Sequence, residues 1–114
     1  MQQYTVKYGD EIINDITELY GFYLDLVGER SAERFRVSAL ATINNLASFP
    51  NSHPMWCGNN DVRRINMPKH KVAIIYVVKD DVYEVIAVAA FHTLENPDKY
   101  TEKIKGRLKL SNRR

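Results

Sequence analysis

The chain has 114 residues, 45% of them hydrophobic and 26% charged, which predicts one domain, residues 1–114, with a packed core and no room for a second. No apolar run approaches the roughly 20 residues that cross a membrane, and the opening MQQYTVKYGDE has no apolar stretch after a basic one, so it does not read as a signal peptide. Net charge is +2 but uneven: residues 1–62 hold four Lys/Arg against eight Asp/Glu, and residues 63–114 hold twelve against six, so the second half offers a basic surface to nucleic acid or an acidic protein, or simply a solvated face.

Tyr4 to Tyr8 alternates β-branched and aromatic residues with others and predicts a first strand. Gly9-Asp10 breaks it, with Asp10 placed to cap a helix. Over 11–27, Ile12, Ile16, Leu19, Tyr23 and Leu26 recur at three or four residues and form one apolar stripe, with Asp15, Glu18 and Asp25 outside it. Gly28 is a natural stop, and Gly21 suggests close packing on the next helix. Ser31 is placed to cap a second helix, with Glu33 in its first turn. Phe35, Ala39, Ile43 and Leu46 supply its stripe, widened by Leu40 and Ala47, and Pro50 ends it. The short link predicts an antiparallel helical hairpin.

Residues 50–61, PNSHPMWCGNND, read as irregular loop. Trp56 there is a core cap or a partner contact. Cys57 is the only cysteine and forms no internal disulfide, which fits a reducing cytoplasm. His53 and Cys57 lie four apart with no second pair, so no metal is expected. There is no Gly-rich phosphate loop, no Ser-His-Asp order and no paired carboxylates in an apolar setting, and no cofactor is expected.

Strands are predicted from Val62 or Arg63. Val72–Val78, VAIIYVV, is apolar on both faces, as in a central strand covered on each side. Lys79-Asp80-Asp81 turns the chain, and Val82–Phe91 returns as its antiparallel partner. Asn96 and Pro97 open a last short helix, on which Tyr100 and Ile104 dock at i, i+4 before Gly106 ends it. The tail, about 106–114, is basic and frayed. The fold class is α+β: a small antiparallel-rich sheet packed against an N-terminal helical hairpin, with a short C-terminal helix.

Several cations and two histidines gather around the strands. His92, Arg64 and Lys71 are the candidates for acid–base and phosphate-stabilising roles in RNA cleavage, which needs a base, an acid and cations at the phosphorane. Arg63, Arg64, Lys69, Lys71 and His92 are the candidates for binding a target or partner. Lys69 and Lys71 alternate with His70 and share a face if the strand extends there, or else form a charged sheet edge. Tyr76, mid-strand in an apolar run, reads as a buried structural residue, and His92 stays open between acid–base work and a hydrogen-bonded strand end.

The order strand, helical hairpin, loop and sheet resembles the RelE/ParE toxin superfamily. The resemblance rests on Arg63-Arg64-Ile65 before the sheet, on Ala73–Val78 with Tyr76 and the Lys79-Asp80-Asp81 turn, and on Ile86–Phe91 closing on His92 before Asn96-Pro97 and Tyr100. That ending is similar to the ParE-like branch. The resemblance spans about residues 4–100. It implies the toxin of a type II toxin–antitoxin pair, held by a cognate antitoxin protein. ParE-like members act on DNA gyrase and RelE-like members cut mRNA on the ribosome. Ala73 stands where the RNA-cutting branch carries a strand arginine, and Thr93-Leu94-Glu95 where ParE-like chains carry arginines. The expectation is therefore a non-enzymatic, binding toxin. The alternatives are a ribosome-dependent mRNA endonuclease and a degenerate, non-toxic binding partner. The antitoxin is expected in an apolar groove between the hairpin and the sheet, rimmed by Lys69 and Lys71.

Overall fold

A computed structural model describes residues 3–56, 59–67, 69–95 and 97–112. Strand β1 (Thr5–Tyr8) leads into helices α1 (Ile12–Val27) and α2 (Glu29–Asn44). Two single 3₁₀ turns follow, then strands β2 (Met55–Trp56), β3 (Asn59–Met67), β4 (Val72–Lys79) and β5 (Glu84–His92), and helix α3 (Pro97–Asn112). The sheet order is β1-β5-β4-β3-β2, with β1 parallel to β5 and the other pairs antiparallel. This is the expected α+β arrangement.

Two apolar layers sandwich the sheet. Ile12, Ile16, Phe35, Ala39 and Ile43 of the hairpin pack on Ile74, Ala87 and Ala90. On the other face Ile104 of α3 packs with Ile75, Val77, Val88 and Phe91. The two faces therefore take alternate residues of β4, which is why VAIIYVV is apolar throughout and wholly buried. Trp56 packs against the α3-side layer, the core-cap role.

The helix ends differ from their expected caps. Glu11, not Asp10, precedes α1, and no side chain caps it. Gly28, at φ 95°, ends α1 and starts α2 directly, so the link is one residue and Ser31 lies inside the helix. Only a residue free of a Cβ takes that left-handed conformation without strain. Leu26 is 65% exposed, since the last turn of α1 runs past the packed face. Gly21 meets no neighbour that a side chain would touch, so it marks no close helix contact.

The 50–61 stretch is more regular than expected. Pro50–Ser52 forms a 3₁₀ turn, and Met55 pairs with Arg63, which makes β2 an edge strand. Its order comes from β3, whose Arg64 N–H also bonds the Pro54 carbonyl at 3.0 Å. Cys57, Gly58 and Asn96 lie outside the described residues. The tight turn spans Asp80–Tyr83, with Lys79 still in β4. Tyr100 and Ile104 dock as expected, but α3 continues through Gly106 to Asn112. Contacts beyond the glycine hold it: Arg107 binds Asp15, and Leu108 packs on the apolar layer.

Asp15 is the largest departure. It is 7% exposed and sits within the packed face of α1. Its Oδ2 accepts Arg107 Nη1 at 2.6 Å and the Ala90 N–H at 3.0 Å, while Oδ1 accepts Arg107 Nη2 at 2.9 Å. Arg107 Nη1 also donates to the Val88 carbonyl at 3.0 Å. Buried charges survive only when paired and hydrogen-bonded in this way.

Candidate functional site

Neighbouring residues on a strand point to opposite faces, and Arg63 and Arg64 obey that rule. Arg63 pairs with Tyr76 on the hairpin face, and its Nη1 donates to the His53 carbonyl at 2.9 Å. Arg64 pairs with Ile75 on the α3 face, where its Nε donates to Asn66 Oδ1 at 2.9 Å. Its guanidinium carbon lies 5.6 Å from the centre of the Phe91 ring, and that ring stacks on Tyr100 at 5.0 Å. Each arginine is already engaged by the protein.

Lys69, His70 and Lys71 belong to the turn between β3 and β4 rather than to an extended strand. Lys71 is at φ 52°, so the three residues do not alternate on one face. Lys69 and Lys71 are exposed, while His70 is half-buried with its ring 5.6 Å from that of Phe35 and 6.0 Å from that of Tyr23. The Tyr23 hydroxyl donates to the His70 carbonyl. Burial, with help from the Lys69 charge, lowers the His70 pKa.

His92 closes β5 opposite Val72. The next residue ties it to the lysine turn, because the N–H and hydroxyl of Thr93 both donate to the Lys71 carbonyl, at 2.8 and 3.0 Å. His92 Nδ1 accepts the Leu94 N–H at 3.3 Å, and its ring stands edge-on to Phe22 at 5.6 Å. Nδ1 of the ring is thus turned toward the Thr93–Glu95 turn. Tyr76 is fully buried, donates to the Pro50 carbonyl at 2.6 Å, and has its pKa pushed up to about 12, chiefly by burial. The structure thus brings His92 and Lys71 together at one sheet end, with Lys69 in the same turn. It separates Arg63 from Arg64 and seals Tyr76 inside.

A wide groove runs beside that turn, with a volume of about 1320 Å³. Arg30 and Arg34 of α2 and Lys69 line it, above Tyr23, Val27 and Val37. Val27 and Val37 are 55% and 54% exposed. Glu33, also on the wall, is paired with Arg36. The arginines were absent from the expected site. Their signal lies in the sequence nonetheless: Arg30, Arg34 and Arg36 are three of the four basic residues before Arg63, and Arg30 and Arg34 share a helix face at i, i+4. A second cleft, of about 450 Å³, lies between α1, β5 and α3. Among the described residues no group of three or more His, Cys, Asp and Glu could hold a metal ion, and no helix is long and apolar enough to cross a membrane.

No family model matches the chain, and no curated protein matches it in sequence. Solved structures match it in shape. A chain of the chromosomal ParDE toxin–antitoxin system of Pseudomonas aeruginosa superposes with a TM-score of 0.69 at 15% identity, covering 79% of this chain and 96% of that one. A mutant of the Escherichia coli RelE toxin in its free state gives 0.63 at 14% identity, over 92% and 98%. A chain of the RelBE2 toxin–antitoxin complex of Mycobacterium tuberculosis gives 0.61 at 14% identity, over 83% and 97%. At such identities the likeness is one of fold.

Proposed function

We propose that this chain, built on the RelE/ParE toxin fold, is the toxin of a type II toxin–antitoxin pair and acts in the ParE-like manner, by binding a target such as DNA gyrase. One observation carries the choice of binding over cutting. The groups that RNA cleavage requires do not all converge: Arg64 is held on the α3 face over Phe91 and Tyr76 is sealed, which leaves only His92 and the lysine turn at the sheet end. Cleavage needs a base, an acid and phosphate-binding cations within reach of one phosphodiester. Binding needs only complementary surface.

The cognate antitoxin takes the groove of Arg30, Arg34 and Lys69, whose half-exposed valines and three cations match an acidic amphipathic segment. Controlled expression in bacteria tests the main reading. It predicts growth arrest with accumulation of gyrase–DNA cleavage complexes and intact transcripts. Normal growth, or arrest without such complexes, refutes it. Arg34→Glu with Lys69→Glu is expected to weaken the purified toxin–antitoxin complex at least about tenfold, on the order of 1.4 kcal/mol or more; unchanged affinity moves the antitoxin elsewhere.

A ribosome-dependent mRNA endonuclease is the second reading, favoured by the proximity of His92 and Lys71 through Thr93. It predicts cleaved transcripts after induction, with cleavage lost in His92→Ala.

A further inference from the structure

Three segments meet at the end of the sheet opposite Lys69 and Lys71. The Thr5 N–H donates to the Tyr83 carbonyl at 2.8 Å and the Tyr4 N–H to the Ala47 carbonyl at 2.9 Å, so the start of β1 bridges the Asp80–Tyr83 turn and the stretch after α2. Asp80 closes the arrangement: its Oδ1 accepts the Tyr4 hydroxyl at 2.6 Å and Asn51 Nδ2 at 2.9 Å. Just before Asn51, Phe49 opens a 3₁₀ turn, and the N–H and hydroxyl of Ser52 both donate to the Phe49 carbonyl, at 3.1 and 2.8 Å.

Two aromatic residues stand at this end in a backbone conformation that bulky side chains avoid. Phe49 is at φ 56° and Tyr83 at φ 53°, the left-handed region where glycine or asparagine is usual. Neither serves the core, since Phe49 is 59% exposed and Tyr83 45%, with Val82 exposed beside it. The Tyr83 ring meets that of Tyr4 edge-on at 5.5 Å. Strain that holds rings in water points to a contact outside the chain. Two carboxylates share the patch, because Asp80 and Asp81 are both exposed. Both bonds to Asp80 fall on Oδ1, which leaves Oδ2 open among the described residues. The Tyr4 and Asn51 hydrogen bonds hold the Asp80 carboxyl below the usual carboxylate range. Arg63, the cation that acts on Asp80, is half-buried and gives its Nη1 to the His53 carbonyl. Lys79 lines a cleft on the α3 side with Lys7, Glu84 and Val88.

We infer that this end of the sheet, carrying Phe49, Val82, Tyr83 and the Asp80 and Asp81 carboxylates, is a docking surface for an arginine-containing segment of a partner protein. A guanidinium pairs with a carboxylate through parallel N–H bonds and lays its flat face on an aromatic ring, and this patch presents both groups. Lysine supplies only the charge. A nucleic acid or an acidic segment sets its own anions against Asp80 and Asp81. The eight residues of β4 separate this surface from the lysine turn by about 25 Å, so a basic partner here leaves the groove of Arg30 and Arg34 open to an acidic one. The inference stands on the geometry and charge of this end, independently of the toxin reading.

The test uses the full chain, isotope-labelled for amide NMR, and the peptide acetyl-Ser-Arg-Gly-Arg-Ser-amide as probe. The expected result is saturable binding with a dissociation constant below about 1 mM, with amide shifts at Phe49, Asn51 and Ser52 and at Asp80–Glu84. The same peptide with citrulline for arginine, equal in shape but uncharged, binds at least about tenfold more weakly. The double variant Asp80→Asn/Asp81→Asn weakens the arginine peptide by a similar factor, while the new amide at position 80 keeps an oxygen for Tyr4 and Asn51. Phe49→Asn weakens it as much, yet its urea midpoint stays level or rises, because asparagine accepts the left-handed conformation. No binding at millimolar peptide, equal binding of the citrulline peptide, or shifts centred on Lys69 and Lys71 overturns the inference. So does unchanged affinity or a lowered midpoint in Phe49→Asn, the latter marking a structural ring, or sedimentation showing that a second copy covers the patch.

Discussion

Replacing Asp15 by alanine tests the bond that ties the two outer layers together. In the native chain this carboxylate receives both terminal nitrogens of Arg107 and the Ala90 N–H. Its side chain is 8% exposed and that of Arg107 9%. Removing one partner of such a pair costs about 3 to 5 kcal/mol, because the other charge stays buried. Glu11 limits the loss. It lies within ion-pair range of Arg107 Nε, without hydrogen-bond alignment, and is half exposed. The freed Ala90 N–H adds about 1 kcal/mol.

Asp15→Ala is therefore expected to lose about 3 to 4 kcal/mol, a large share of the roughly 5–15 kcal/mol that holds a domain. Urea unfolding followed by circular dichroism measures it, and the midpoint temperature should fall by roughly 12 °C. The double variant Asp15→Leu/Arg107→Met removes both charges and should be at least about 2 kcal/mol more stable than the sum of the two single losses predicts. A loss below about 1 kcal/mol for Asp15→Ala, or strict additivity in the cycle, refutes the account of α3 docking.

Gly9→Ala places a Cβ 2.9 Å from the Ala87 carbonyl oxygen, a backbone atom that cannot swing aside, and should cost about 1 to 3 kcal/mol by the same unfolding assay. Tyr76→Phe removes the hydroxyl bond to Pro50 and should cost about 1 kcal/mol, with growth arrest on induction unchanged. The Tyr76 pKa is raised in the fold, so the unfolded chain loses this proton first. Stability from this group is full below pH 10 and is lost as pH rises toward about 12, which an alkaline unfolding series on wild type and Tyr76→Phe resolves. The His70 pKa is lowered, so the unfolded chain takes up this proton first. Its contribution is full above about 6.5 and is lost as pH falls through the lower folded value, and His70→Gln should flatten that acid limb.

Local pattern is enough to determine the helical hairpin, the central strand and the antiparallel strand that follows it. An unbroken apolar run of strand length makes VAIIYVV a strand covered on both faces, and spacings of three and four place Ile12, Ile16, Phe35, Ala39 and Ile43 in the core. The alternation of side chains along a strand already requires Arg63 and Arg64 to diverge, although not which layer each meets. Tertiary structure decides the rest, because the deciding partners are remote. Asp15 is buried by an arginine 92 residues away, and that arginine carries α3 past a glycine that would end an isolated helix. β2 exists only as the partner of β3. The lysine turn bends away from the strand because Lys71 adopts a left-handed conformation and receives Thr93 from across the sheet. Hydrophobic period is a property of each segment alone, whereas pairing of buried polar groups belongs to the folded whole.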